Sequence, residues 1–209
     1  MINLKNINVI NESSSAWKMK ELENGKLIST MDNSDIKIWI KKNNTLECEF
    51  SLKNGGVSYD ILEIRKNEVV ALSGNNINFY DLNKRDKIFS ICGFESFNLN
   101  PGKKFCKAND ELLLVCGSNN IFLVDYLAHQ LISKIECEWV IGLYKLSNNF
   151  IFSGQDNGDI KEWKCNGRVL KLYSYKRAAH NSNTISIFRL NNIIISGDGS
   201  GNIKFWELK

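Results

Sequence analysis

The sequence predicts an all-β chain assembled from five copies of one four-stranded unit. Three observations predict it. A phrase made of a small-residue pair, a polar turn, an apolar segment and a closing aromatic or apolar anchor recurs along all 209 residues. The anchors Trp39, Tyr80, Val124, Trp163 and Trp206 stand 41, 44, 39 and 43 residues apart, the period of a unit of four short strands. Every unit also repeats one order of apolar runs and turns, with no segment of helical period.

In unit one, residues 17–22 read as the first strand and residues 26–28 as the start of the second, joined across Asn24-Gly25. The phrase then runs without a gap from Ser29 to Trp39, and residues 45–50 alternate as a fourth strand with one solvated side. Unit two places strands at residues 59–64 and 68–72, followed by a shortened phrase from Ser73-Gly74 to Tyr80. Unit three offers residues 94–99, residues 112–115, a second shortened phrase from Cys116-Gly117 to Val124, and an alternating segment at 130–135. Unit four has residues 141–146 and 150–152, then the ungapped phrase from Ser153 to Trp163. Unit five has residues 185–190 and 193–195, then the phrase from Ser196 to Trp206. Short β-branched runs bounded by turn residues suit strands buried on both faces. The pairs Asn24-Gly25, Asn54-Gly55, Asn157-Gly158, Asn166-Gly167 and Gly201-Asn202 supply the positive φ that strand reversal needs.

Residues 100–109, with the single proline Pro101, form an insertion expected between the first two strands of unit three. The last unit has three strands before the sequence runs out. Residues 4–10 form a β-like segment ahead of unit one, so the N-terminal strand is expected to complete the last unit and cover its edge. Two assemblies follow: one closed array, or an open array completed by a second chain.

A formal charge of +4 is mild and its lysines are dispersed among acids, which argues against a nucleic-acid binder. The six cysteines show no Cys-x-x-Cys pair, so they read as reduced, packed thiols, and a cytoplasmic location is expected. No run is apolar enough to span a membrane as a helix. The turns Asp32-Asn33-Ser34-Asp35 and Asp156-Asn157-Gly158-Asp159 offer oxygen ligands but lack the twelve-residue calcium loop. No metal or cofactor is expected.

The phrases from Ser153 to Trp163 and from Ser196 to Trp206 resemble the strand-turn-strand core of WD40 repeats, and the resemblance extends over essentially the whole chain. It implies a β-propeller, here one domain over residues 1–209 with about five four-stranded blades. In that family Trp in the third strand, Ser in the second, His before the first strand and Asp in the turn between second and third form a hydrogen-bonded relay. Trp206, Ser196 and His180 match three of these, with Ser200 at the position where Asp is expected. Trp163 with Ser153, and Trp39 with Ser29, match two, with Asn157 and Asn33 at the Asp position. The resemblance gives these residues a structural role, and no catalytic residue is assigned. His129, in a turn, has no nucleophile at a telling interval.

The resemblance further implies a non-enzymatic scaffold that holds protein or peptide partners on its loops. Trp17, Lys18, Tyr59, Trp139, Arg177 and Asn183 flank the first strands and are the candidate contacts, aromatic and Arg side chains being frequent hot spots. Inter-blade packing is the competing role for Trp17 and Trp139. A glycosidase or sugar-binding propeller is the alternative, with Glu21, Asp60 and Glu63 as candidate carboxylates. Phosphoinositide binding through Lys103, Lys104 and Lys107 is a third reading.

Overall fold

The computed structural model describes residues 10–43, 45–94, 104–147 and 149–207. Among them there are nineteen strands in five antiparallel sheets and no helix. The chain divides into two compact units, Met1–Ser90 and Ile91–Lys209.

The first unit carries two sheets. Sheet one is β1 (Ala16–Glu21), β2 (Leu27–Met31), β3 (Asp35–Lys42) and β4 (Thr45–Lys53), and sheet two is β5 (Ile61–Arg65), β6 (Glu68–Ser73), β7 (Asn76–Asp81) and β8 (Asp86–Ile91), each paired in chain order. Alternation along the strands sends one face of each sheet inward. Ile28, Ile36 and Ile38 of sheet one meet Ile61, Val69, Ala71 and Tyr80 of sheet two in one cluster. Burying each of the Ile and Val side chains contributes about 1.5–3 kcal/mol.

The second unit carries three sheets. Sheet three is β9 (Phe105–Lys107), β10 (Leu112–Cys116), β11 (Asn120–Asp125) and β12 (Gln130–Glu136); sheet four is β13 (Val140–Lys145), β14 (Phe150–Gln155), β15 (Ile160–Asn166) and β16 (Val169–Lys176). Sheet five is β17 (Thr184–Leu190), β18 (Ile193–Asp198) and β19 (Ile203–Glu207), three strands among the described residues. The second and third strands of sheet three are buried along their whole length, which is why they read as unbroken apolar runs. Leu112, Leu114, Ile121 and Leu123 pack on Leu143, Ile151 and Trp163 of sheet four. The other side of sheet four gives Phe152 and Ile160 to Ile187 and Ile194 of sheet five. Cys106, Cys116 and Cys165 sit among these as small apolar residues.

The turn glycines Gly25, Gly55, Gly158, Gly167 and Gly201 all have φ between 55° and 85°, the left-handed region that an L side chain resists. A register shift recurs where the anchors stand: the pairing of third and fourth strands slips at Ile38/Trp39, Leu123/Val124 and Glu162/Trp163. Such bulges bend the strand and re-aim the side chain beside them.

The structure corrects the sequence reading of unit three. Its first strand is Phe105–Lys107, paired with Leu113–Val115 and followed by a short turn to Leu112. The segment 100–109 read as an insertion therefore contains the first strand itself and is not a loop between the first strand and the second. Phe105 and Cys106 are the apolar pair this strand buries, whereas Phe94, read as strand, is a packing residue whose ring lies 4.7 Å from Phe122. Residues 95–103 and 1–9, including nearly all of the expected N-terminal strand, lie outside the described residues; Ile10 is exposed and not in a strand.

Candidate functional site

Sheet five holds a four-member polar chain. Trp206 lies on β19 opposite Ile194, and Ser196 two residues further along β18 shares that face. The indole N–H of Trp206 donates to Ser196 Oγ at 2.7 Å, Ser196 Oγ lies 2.6 Å from His180 Nε2, and His180 Nδ1 lies 3.1 Å from Asp198 Oδ2. A carboxylate only accepts, so Nδ1 carries the proton and Nε2 accepts from the serine hydroxyl. Asp198 also accepts the backbone N–H groups of Ser200 and Asn202 and the Asn202 amide. That amide, the two backbone donors and the His180 ring hold its carboxyl down at about 2. Asp198 thus fastens the turn and orients the imidazole.

The sequence reading placed the missing acid at position 200; the structure places it at Asp198. A strand alternates, so the residue on the same face as Ser196 is two positions on. Ser200 lies beyond the strand, in the turn that Asp198 organises. His180 is positioned from the neighbouring sheet. Its N–H donates to the Gly158 carbonyl at 3.0 Å, and Thr184 Oγ1 donates to the same oxygen at 3.2 Å. A Cβ on Gly158 would stand 2.2 Å from the His180 carbonyl oxygen.

Sheets one and four keep part of this chain. Trp163 donates to Ser153 at 2.8 Å and Gln155, at the Asp198 position, donates to the same hydroxyl at 2.6 Å. Trp39 donates to Ser29 at 2.8 Å, and Ser29 turns its hydroxyl to Met31 Sδ at 3.4 Å. In these sheets Asn33 and Asn157 donate to Asp35 and Asp159 at the start of the third strand. In sheet two Tyr80 is the anchor: its hydroxyl donates to Asn54 Oδ1 at 2.7 Å, and Asn78 donates to the Asn54 carbonyl. Burial pushes the Tyr80 hydroxyl up to about 12. Register puts Ala71, not Ser73, at the serine position of this sheet, and Val115, not Cys116, at that of sheet three.

The candidate contact residues fall in separate places. In the first unit Trp17 stands 44 % exposed with its ring 4.8 Å from that of Tyr59, edge to face, and its indole N–H donates to Asp32 Oδ1 at 3.0 Å. Lys18, the next residue on β1, is half-buried. In the second unit Trp139 is 43 % exposed and its carbonyl accepts from Asp156 N–H. Arg177 is exposed, 5.4 Å from the Tyr175 ring centre. The Asn183 carbonyl accepts from Gly199 and its side-chain oxygen from Ser182.

Of the carboxylates of the enzymatic alternative, Asp60 and Glu63 are engaged among the described residues and Glu21 is not. Asp60 is fully buried and ion-paired with Lys20 at 2.9 Å. Glu63 accepts from the Glu23 and Asn67 backbone N–H groups, and Glu21 is exposed at the end of β1. Of the lysines read as one basic cluster, Lys104 is fully buried just ahead of the first strand of sheet three and donates to the Ile141 carbonyl at 3.3 Å. Lys107 is half-buried beside the Tyr126 ring, and Lys103 lies outside the described residues. His129 occupies its turn at φ 52° and is half-buried. Among the described residues no group of three or more His, Cys, Asp or Glu is placed to hold a metal.

No protein-family model matches the chain, and no curated protein matches it by sequence. The structure does have likenesses among solved structures. One is a chain of a structure described as "Crystal Structure of Mitotic Checkpoint Complex", 14 % identical, with a TM-score of 0.56, covering 95 % of this chain and 76 % of that one. The likeness shows an all-β, propeller-like fold.

Proposed function

We propose that this chain is a non-enzymatic WD40-type scaffold for protein partners, its five sheets being the blades of one propeller domain working in the cytoplasm. The observation that carries the reading is the pair Trp17 and Tyr59. Two large aromatic side chains stay in contact at 4.8 Å with Trp17 nearly half exposed, and Asp32 fixes the indole. Side chains of this kind offer large contact area at a small entropy cost on binding. Trp139 and Arg177 give the second unit comparable exposed groups. The buried polar chains tie together second and third strands inside the sheets, and the fully buried Ser196, which accepts the Trp206 indole, has no access for a substrate.

Affinity recovery with the intact chain, quantified by mass spectrometry beside Trp17→Ala/Tyr59→Ala, tests this. A protein recovered in stoichiometric amount by the native chain and depleted with the variant supports the reading. Turnover of a soluble glycan, with no protein recovered, overturns it in favour of the sugar-directed alternative.

A further inference from the structure

A groove of about 390 Å³ lies in the second unit between β13 and β14 of sheet four and β17 and β18 of sheet five. Its floor is apolar. Phe152, Ile187 and Ile194 are 9 %, 6 % and 3 % exposed and belong to the cluster joining the two sheets, with Leu146 packed against them. Its rim is cationic and open: Lys145 and Arg189 are exposed, and Phe188 beside them is 66 % exposed. Arg189 spends its Nε–H on the Asn191 carbonyl at 2.7 Å. Neither Lys145 nor Arg189 forms an ion pair with a carboxylate among the described residues, whereas Lys20, Lys26, Lys37, Lys53 and Lys161 all do.

The geometry points to a docking site for an acidic peptide segment of a partner protein, one large apolar side chain entering the groove and flanking carboxylates meeting Lys145 and Arg189. An apolar floor takes a side chain without specifying what surrounds it; two cations left unneutralised at its rim favour negative charge on either side and disfavour basic sequences. The site rests on the scaffold reading and narrows it to a class of ligand.

The test is selection of random displayed peptides on the intact chain, followed by fluorescence anisotropy of the enriched peptide with native protein, Phe188→Ala and Lys145→Glu/Arg189→Glu. The enriched sequences should carry one Leu, Ile, Met or Phe between Asp or Glu residues. Charge reversal should weaken binding at least about tenfold with the melting curve unchanged, and raising salt from about 50 to about 500 mM should weaken the native complex. The reversed variant should in turn bind the same peptide with its acids changed to Lys. Peptides that bind the reversed variant as tightly as the native chain overturn the groove and leave the scaffold reading on another surface. If no peptide is enriched while a partner is still recovered from extract, the groove alone falls; if neither is obtained, both fall.

Discussion

His180 and Asp198, eighteen residues apart, meet side chain to side chain at 3.1 Å with both side chains shut off from solvent. The contact joins the loop leaving sheet four to the second strand of sheet five, and Ser196 and Trp206 extend it across the sheet. His180→Ala would leave the Ser196 hydroxyl proton without its acceptor and take one donor from the buried Asp198 carboxylate, which keeps only those of Ser200 and Asn202. The expected loss is about 2–4 kcal/mol of unfolding free energy, measured by urea denaturation. A loss below about 0.5 kcal/mol would mean the ring is not part of a working chain.

The same carboxylate sets an acid limb. With its folded value at about 2 and an unfolded value near 4, Asp198 contributes its full stability above about pH 4. As pH falls from about 4 to about 2 the unfolded chain takes up the proton first, and the contribution is lost. Melting temperature against pH should show this fall, and Asp198→Asn should start lower and have a flatter limb over the same window.

Gly158 and Gly25 have similar dihedrals, φ 84° and φ 79°, in different surroundings. Nothing lies within 4 Å of a Cβ built on Gly25, while one on Gly158 meets backbone oxygens of His180 and Ser182 at 2.2 and 2.7 Å. Gly25→Ala should cost about 1 kcal/mol for the dihedral alone. Gly158→Ala should cost at least about 2–3 kcal/mol because the loop carrying His180 must move. Equal losses in denaturation would show that the close approach has no consequence.

Tyr80 gives the basic counterpart. Its hydroxyl is held up at about 12 by burial, against an unfolded value near 10. Below about pH 10 its stability contribution is complete; between about 10 and about 12 the unfolded chain ionises first and the contribution disappears. Absorbance at alkaline pH should show a late-titrating tyrosine step that Tyr80→Phe reduces by one residue.

The strands were legible because burial on two faces leaves unbroken apolar runs, as in Leu112-Leu113-Leu114-Val115, and because reversal needs Gly or Asn at identifiable places. The third unit was not, since Phe94 and Phe105 are equally apolar and only pairing with Val115 shows which one is strand. The relay was legible through Trp206, Ser196 and His180, while Asp198 was missed by counting along the turn instead of along the strand face. The shortened phrases misled in the same way: their turns lose residues but the ladder keeps Tyr80 opposite Val69. Sequence spacing also cannot show that Lys104 points inward, because a basic run reads as solvated until its neighbours are placed.

Buried polar chains build the sheets, and the proposed function assigns binding to the exposed aromatics beside them. Recovery of one partner by Trp17→Ala/Tyr59→Ala and by Ser153→Ala, read against the melting temperature of each, tests it most directly. Ser153→Ala should melt lower, by about 1–2 kcal/mol of stability, and still recover the partner; the aromatic variant should lose the partner while melting within a few degrees of the native chain. Undiminished recovery by a folded aromatic variant would show that Trp17 and Tyr59 are not where the partner binds.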